Sequence, residues 1–212
     1  MKKILCFGDS NTYGYIPAVG ERFDVNTRWT GRLKKMLMPD GYELIEGGVN
    51  GRTTVFDDDV SPDRNGSKML GALLQENYPI DIAVVMLGTN DCKIKFGADA
   101  EMITQGLEVI VSQIKLFDSR TKILLMCPAF VEEGVKKGRF AENFDDESIL
   151  KSKSLKEKYK ELARKLDCGY FAVCDIVKCD ASDGIHLNAE SHRLLAEAVY
   201  DVLKNQMFAD ES

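Results

Sequence analysis

The feature that most constrains the fold of this chain is a set of short apolar runs without polar alternation. The clearest is Ile80–Leu87, in which every residue except Asp81 is apolar. A strand of this kind has to be covered on both faces, which is typical of a parallel sheet. Four further runs are interpreted as strands of the same sheet: Lys3–Phe7, Tyr42–Glu46, Lys122–Cys127 and Tyr170–Cys174.

Helical patterns separate the apolar runs along the whole chain. The predicted helices are Trp29–Met38, Ser67–Asn77, Asp99–Phe117, Ser148–Leu166 and Ala189–Met207. This alternation of strands and helices predicts a doubly wound α/β sandwich. At 212 residues the chain has the length of one domain, so we expect a single domain over residues 1–212. The irregular segment Pro128–Asp146 is expected to be functional or to form a contact surface.

Charge and hydropathy exclude several classes of protein. The chain has 28 Lys and Arg against 34 Asp and Glu, a net charge of −6. This balance argues against nucleic acid or an anionic membrane as the main partner. The apolar stretch after Lys3 is too short for a signal peptide, and no run approaches the ~18 residues of a membrane span, so we expect a cytoplasmic protein without membrane insertion. The six cysteines contain no CxxC motif and are interpreted as reduced thiols.

Polar and glycine-rich segments follow four of the predicted strands. Gly8-Asp9-Ser10-Asn11 comes after the first strand, and Gly51 lies in a glycine-rich segment after the second. Asn90 follows the third strand, and the segment Asp183–Asn188 follows the last. In open α/β sheets, ligands bind outside the carboxyl ends of the strands. The sequence therefore predicts a functional site where these four segments meet.

The chain has two histidines, and their positions differ in what they allow. His192 lies inside the last predicted helix and is expected to lie on its surface. His186 precedes that helix, three residues after Asp183. This spacing lets a carboxylate hold the Nδ1–H of the imidazole and leaves Nε2 free to accept a proton. Taken alone, Asp183 also fits an ordinary turn.

Ser10 is the candidate nucleophile, because it lies on the turn that leaves a buried strand. A serine in that position also fits a helix N-cap, and the chain has no GxSxG motif. The candidate donors to an oxyanion are the Ser10 and Gly51 amides and the Asn90 side chain. Gly51 and Asn90 taken singly also fit turns, but all of these residues follow strand ends at one edge.

Four short motifs carry a resemblance to a known family. Gly8-Asp9-Ser10, Gly51, Asn90 and Asp183-x-x-His186 resemble the sequence blocks of the SGNH (GDSL-type) hydrolases, in the family's order. Within that family the chain is similar to the bacterial arylesterase/acyltransferase branch. The segments that carry this closer similarity are Ile4–Ser10, Arg28–Gly31, Gly51–Thr54 and Met86–Asp91.

The resemblance implies a flavodoxin-like three-layer α/β/α fold with a five-stranded parallel sheet. It also implies ester hydrolysis without a metal or other cofactor, with Ser10 as nucleophile, His186 as base and Asp183 as the group that orients the base. The Ser10 and Gly51 amides and the Asn90 side chain would form the oxyanion hole. The branch further implies a homo-oligomer.

The substrate is less constrained than the chemistry. The residues predicted to shape the pocket, which fit core or interface packing equally well, are Asn11, Tyr13, Tyr15, Phe130 and Ile185. Three functions stay open at this point. The first is an esterase of small acyl groups, including aryl and acetylated sugar esters, which also transfers acyl groups to alcohols. The second is a thioesterase or lysophospholipase acting on longer chains, and the third is a flavodoxin-like binding module without catalysis.

Overall fold

The computed structural model describes residues 1–208, and it contains all five predicted strands in one parallel sheet. The sheet order is β2-β1-β3-β4-β5. Successive residues Ile4 to Phe7 of β1 are fully buried on both faces, as the absence of polar alternation predicts. The strands are β1 (Lys2–Gly8), β2 (Tyr42–Gly48), β3 (Ile82–Met86), β4 (Lys122–Cys127) and β5 (Gly169–Ala172).

Helices cover both faces of the sheet, which confirms the three-layer α/β/α architecture. The helices are α1 (Ser10–Tyr13), α2 (Trp29–Leu37), α3 (Gly66–Asn77), α4 (Ala100–Phe117), α5 (Asp146–Lys165) and α6 (Ala189–Val202). Helices α2 and α6 pack on the face that carries Ile4 and Cys6, whereas α3, α4 and α5 pack on the face that carries Leu5 and Phe7. Within residues 1–208, none of these helices combines the length and apolar character that crossing a bilayer requires.

The observed elements differ from the predicted ones mainly at their ends. The last helix is regular only to Val202 and continues as a π-helical turn over Leu203–Met207. The sequence did not predict helix α1, which is a single turn. The Asp9 side chain caps its N-terminus. The helix ends at Gly14, whose φ of +90° is incompatible with a further helical turn.

The structure corrects the expectation for His192, which is fully buried rather than on the surface of α6. Its Nδ1 accepts the backbone N–H of Trp29 at 3.2 Å, and its ring makes a T-shaped contact with the Phe23 ring. Burial lowers the pKa of His192 to about 3, so the imidazole is neutral and joins α6 to the start of α2. The helical pattern alone could not reveal this role, because it depends on a neighbouring helix.

The strand ends place the polar segments side by side. Gly8 at the end of β1 pairs with Gly48 of β2 on one side and with Met86 of β3 on the other. The segments that leave these three strands therefore start within one strand spacing of each other, at one edge of the sheet.

Candidate active site

Ser10 lies at the start of α1, two residues after the end of β1. Asp9, rather than Ser10, is the N-cap, since its side chain accepts the Asn11 N–H at 2.9 Å. The turn needs glycine at position 8, where a Cβ would lie 2.1 Å from the Thr12 Oγ1. This tight turn leaves the Ser10 hydroxyl free of a capping role and at the wall of a cavity.

Ser10, His186 and Asp183 form one hydrogen-bonded row. The Ser10 Oγ lies 3.0 Å from the His186 Nε2, and the His186 Nδ1 lies 2.8 Å from the Asp183 Oδ2. All three residues are at most 8% exposed. These distances are within the hydrogen-bond reach that proton transfer between a nucleophile and a base requires. The three residues named from the sequence therefore meet in space.

Asp183 is held as a carboxylate by its surroundings. Its Oδ1 accepts the backbone N–H groups of Ile185 at 3.1 Å and His186 at 3.0 Å, and its Oδ2 also accepts the Ala18 N–H at 3.2 Å. Burial by itself raises the pKa of Asp183, but the His186 ring and the Ile185 and His186 amides outweigh it and hold the pKa below the ordinary value. An ionised carboxylate at this position favours the tautomer of His186 that carries its hydrogen on Nδ1.

The structure places Asn11 behind the site rather than in its pocket. The Asn11 Nδ2 donates to the Ile185 carbonyl at 2.9 Å, and its Oδ1 accepts the Leu187 N–H at 3.0 Å. Its own carbonyl accepts the indole N–H of Trp29 at 2.9 Å. Asn11 thus clamps the backbone on both sides of His186, which keeps the imidazole in place against Ser10.

Gly51 and Asn90 lie in the wall of the same cavity as Ser10. The Asn90 Nδ2 donates one hydrogen to the Arg52 carbonyl at 3.1 Å and has a second hydrogen left to donate. Asp91 accepts both the N–H and the hydroxyl of Thr54. These bonds tie the segment after β2 to the segment after β3, so Gly51 and Asn90 keep a fixed spacing.

A buried arginine and two buried carboxyl groups support these segments from behind. The Arg52 Nη1 donates to the Gly8 carbonyl at 3.0 Å and to the Gly47 carbonyl, so it joins the ends of β1 and β2. Burial raises the pKa of Asp9 to about 7 and that of Asp91 to about 6. Neither carboxyl group belongs to the cavity wall. We infer that the carboxyl groups of Asp9 and Asp91 hold the surrounding loops in position.

The cavity beside Ser10 has a volume of about 330 Å³. Its wall contains two of the predicted pocket residues, Tyr15 and Ile185. For several of the other wall residues, nothing in the local sequence indicates that they border a pocket. The complete lining is Ser10, Tyr15, Gly20, Asn50, Gly51, Arg64, Asn90, Lys93, Arg139, Phe140, Ile185 and His186.

Tyr13 and Phe130, predicted as pocket residues, lie outside this lining. Gly48 packs against the backbone of Tyr13, and the Tyr13 ring lies under the Arg22 guanidinium, 4.5 Å from its centroid. Phe130 is half-buried after β4. The aromatic side chain of that segment in the cavity wall is Phe140 instead.

The segment Pro128–Asp146 lies against the loop that carries Asp183 and His186. The Glu132 N–H donates to the Gly184 carbonyl at 2.8 Å. The Phe140 ring lies 5.4 Å from the His186 ring, whose face is stacked on Tyr15 at 4.1 Å. Two aromatic rings therefore cover the imidazole and limit its rotation.

Comparisons with known proteins show the family and the fold of this chain. The chain matches the GDSL-like lipase/acylhydrolase family over residues 6–194. It is similar to an aryl esterase from M. smegmatis, with 31% identity, 97% and 99% of the two chains covered and a TM-score of 0.89. It is also similar to a carbohydrate acetylesterase from Sinorhizobium meliloti, with 33% identity, the same coverage and a TM-score of 0.88. A lipase/acylhydrolase from Enterococcus faecalis shares the fold at 21% identity, 97% coverage of both chains and a TM-score of 0.69. No curated protein matches the chain.

Proposed function

Because the chain belongs to the GDSL-like lipase/acylhydrolase family and is a carboxylic ester hydrolase of the SGNH type, we propose that Ser10, His186 and Asp183 hydrolyse small esters in it. The observation that carries this proposal is the buried row from the Ser10 Oγ through His186 to Asp183, with distances of 3.0 and 2.8 Å. A binding module without catalysis does not require a nucleophile, a base and an ionised partner in one hydrogen-bonded row.

The reaction then has two halves. His186 accepts the Ser10 proton at Nε2 while the Ser10 oxygen attacks the ester carbonyl. His186 next donates that proton to the departing alcohol, which leaves an acyl group on Ser10. Water, activated by His186 in the same way, releases the acid and restores the hydroxyl. An alcohol in place of water would give acyl transfer, which we keep as a further prediction.

The Ser10 and Gly51 amides and the Asn90 side chain are proposed to bind the oxyanion of the tetrahedral intermediate. The free hydrogen of the Asn90 Nδ2 and the absence of a side chain at Gly51 support this role. Donors that are already oriented cost no reorganisation when the charge develops, so they stabilise the transition state more than the bound ester.

Replacing Asn90 with alanine is expected to lower kcat by about 10²- to 10³-fold, with a much smaller change in KM. The reason is that this donor interacts most strongly with an oxygen that becomes charged only during the reaction. Steady-state kinetics with p-nitrophenyl acetate measure the effect. Asn26→Ala, at an exposed asparagine outside the cavity, is the matched control. A change confined to KM would contradict the role.

The size of the cavity favours short acyl groups. A volume of about 330 Å³ is at the low end of the range for small-molecule pockets. Its apolar wall consists of Tyr15, Phe140 and Ile185, which is enough to contact an acetyl or an aryl group. The names of the two similar structures, an aryl esterase and a carbohydrate acetylesterase, support the same range of substrates.

We expect kcat/KM to fall by at least about tenfold from p-nitrophenyl acetate to p-nitrophenyl octanoate. A groove for a long chain would instead make kcat/KM rise with chain length, because each buried CH₂ contributes about 0.8 kcal/mol of binding. The measurement is a chain-length series, with acetate release from acetylated sugars beside it. Activity that rises with chain length would favour the thioesterase or lysophospholipase alternative.

Two other expectations from the sequence stay predictions. One is self-association of the chain, and the other is its location in the cytoplasm.

A further inference from the structure

Three cationic side chains, Arg64, Lys93 and Arg139, line the cavity of a protein whose net charge is −6. Within residues 1–208, the lining contains no Asp or Glu. The described part of the chain also places no carboxylate within ion-pair distance of any of the three. Many cations elsewhere on this chain have such partners, so the cluster differs from much of the surface.

Lys93 is the most constrained of the three cations. It lies three residues after Asn90, and it is half-buried. Burial, together with the charges of Lys95 and Arg64, lowers the pKa of Lys93 to about 8 although the carboxylates of Asp58 and Asp9 act to raise it, so it is still mainly protonated at pH 7. The neighbouring carboxylate of Asp58 is already paired with Lys95 at 2.7 Å. A partly buried ammonium with no carboxylate at ion-pair distance is stabilised when an anion joins it.

Arg64 lies over the segment that holds the proposed oxyanion donor. A Cβ built on Gly51 would be 2.9 Å from the Cδ and Nη1 of Arg64, so the guanidinium side chain packs directly on that glycine. Gly51 has a φ of +79°, which favours glycine in its own right. Arg64 and Lys93 therefore place two positive charges on the oxyanion side of the cavity.

Arg139 reaches the opposite side of the cavity. Its Nη1 donates to the Tyr15 hydroxyl at 3.1 Å, and the Tyr15 ring is stacked on His186. Arg139 is exposed at the rim, so it would meet a ligand before the two deeper cations do. The cations thus flank Ser10 and His186 from both sides.

We propose that the site takes esters that carry a negative charge, a carboxylate or a phosphate, close to the scissile bond. This inference rests on the proposed function and narrows its substrate class. A tetrahedral oxyanion is one charge and has its own N–H donors, so it does not account for three cations without carboxylate partners. A guanidinium and an ammonium facing a common space fit a carboxylate or phosphate by charge-assisted hydrogen bonds.

The test uses pairs of esters that differ mainly in charge. On the alcohol side the pair is 4-acetoxybenzoate and its methyl ester, and on the acyl side it is mono-4-nitrophenyl succinate and 4-nitrophenyl butyrate. A third arm, 4-acetoxyphenyl phosphate, separates a preference for phosphate from one for carboxylate. The measured quantity is the ratio of kcat/KM for the charged ester to kcat/KM for its neutral twin. For the pair whose charge lies on the side of the scissile bond that the cations face, we expect this ratio to fall at least about tenfold in Lys93→Gln and in Arg64→Gln. Comparing this ratio between proteins removes the intrinsic reactivity of each ester.

Lys68→Gln is the matched control. It removes the same charge four residues after Arg64, from a lysine that is 61% exposed, paired with Asp57 at 2.7 Å and outside the cavity. We expect its ratio to equal that of the unchanged protein. Added NaCl should lower kcat/KM for the charged ester of the preferred pair and leave its neutral twin nearly unchanged, because salt screens the attraction.

Equal losses for charged and neutral esters would overturn the inference, since the cations would then act on the oxyanion alone. Activity that stays unchanged for every ester in both variants would overturn it as well. Either result leaves the proposed function intact if neutral esters are hydrolysed. If no ester is hydrolysed, the proposed function fails, and calorimetric binding of 4-acetoxybenzoate to Ser10→Ala decides the inference alone. Binding that weakens at least about tenfold in Ser10→Ala/Lys93→Gln supports it, and equal or absent binding overturns it.

Discussion

Replacing Ser10 with alanine is expected to lower kcat for p-nitrophenyl acetate by about 10⁴- to 10⁶-fold. The change removes the only atom of the row that can form the acyl-enzyme, and it removes the partner 3.0 Å from the His186 Nε2. Because the Ser10 side chain borders a cavity, its loss should leave the fold unchanged. Turnover is measured after subtraction of spontaneous hydrolysis, with circular dichroism as the check on folding.

His186→Ala should lose a similar amount, and the double variant should lose little more than either single one. Such non-additivity is expected when two residues act as one unit. Ser182→Ala is the matched control, because Ser182 is an exposed serine in the loop before His186. It should keep the activity of the unchanged protein. Normal turnover in Ser10→Ala would remove Ser10 from the mechanism.

Replacing Asp183 with asparagine is expected to cost about 10³- to 10⁴-fold in kcat. A neutral amide would then face the His186 Nδ1, and an amide stabilises the imidazolium that forms during the reaction far less than a carboxylate does. The Ala18 N–H, which donates to the Asp183 Oδ2 at 3.2 Å, would compete for the one oxygen acceptor that the amide keeps. Steady-state kinetics and a pH–rate profile measure the effect.

The pH profile tests whether Asp183 acts as an ionised carboxylate, and circular dichroism checks the fold of the variant. The pKa of Asp183 lies below that of an ordinary aspartate, so the carboxylate loses its charge only as the pH falls through this lowered pKa. The deficit of the variant should therefore persist across the neutral range. Asp180→Asn, in the same loop, is the control and should stay within a few-fold of the unchanged protein. A full recovery of the variant near pH 6 would contradict the assigned role.

Much of the fold could be predicted from local patterns. The buried character of β1 and β3 is visible in the sequence because neighbouring residues on both faces are apolar. The meeting of the segments that follow the strands could also be predicted, since parallel strands bring their carboxyl ends to one edge of the sheet. Ser10, His186 and Asp183 could therefore be named together, although 176 residues separate Ser10 from His186.

These local patterns could not predict contacts between elements that are distant in the chain. His192 has the spacing of a surface residue, and only the approach of α2 buries it against Trp29. Asn11 directly follows Ser10 and was predicted to line the pocket, yet both ends of its side-chain amide bind the backbone around His186. The three cations of the cavity belong to three separate segments, none of which carries a signal that the charges share one space.

The sequence by itself determined the layered α/β architecture and indicated the proposed reacting groups, because strand burial and short motifs can be read directly from the chain. Only the tertiary structure decided which side chains surround those groups. The reason is that the cavity wall is assembled from loops whose relative positions depend on packing and hydrogen bonds between elements far apart in the chain. The charge of that wall, and with it the proposed anionic substrate, follows from the assembled loops alone.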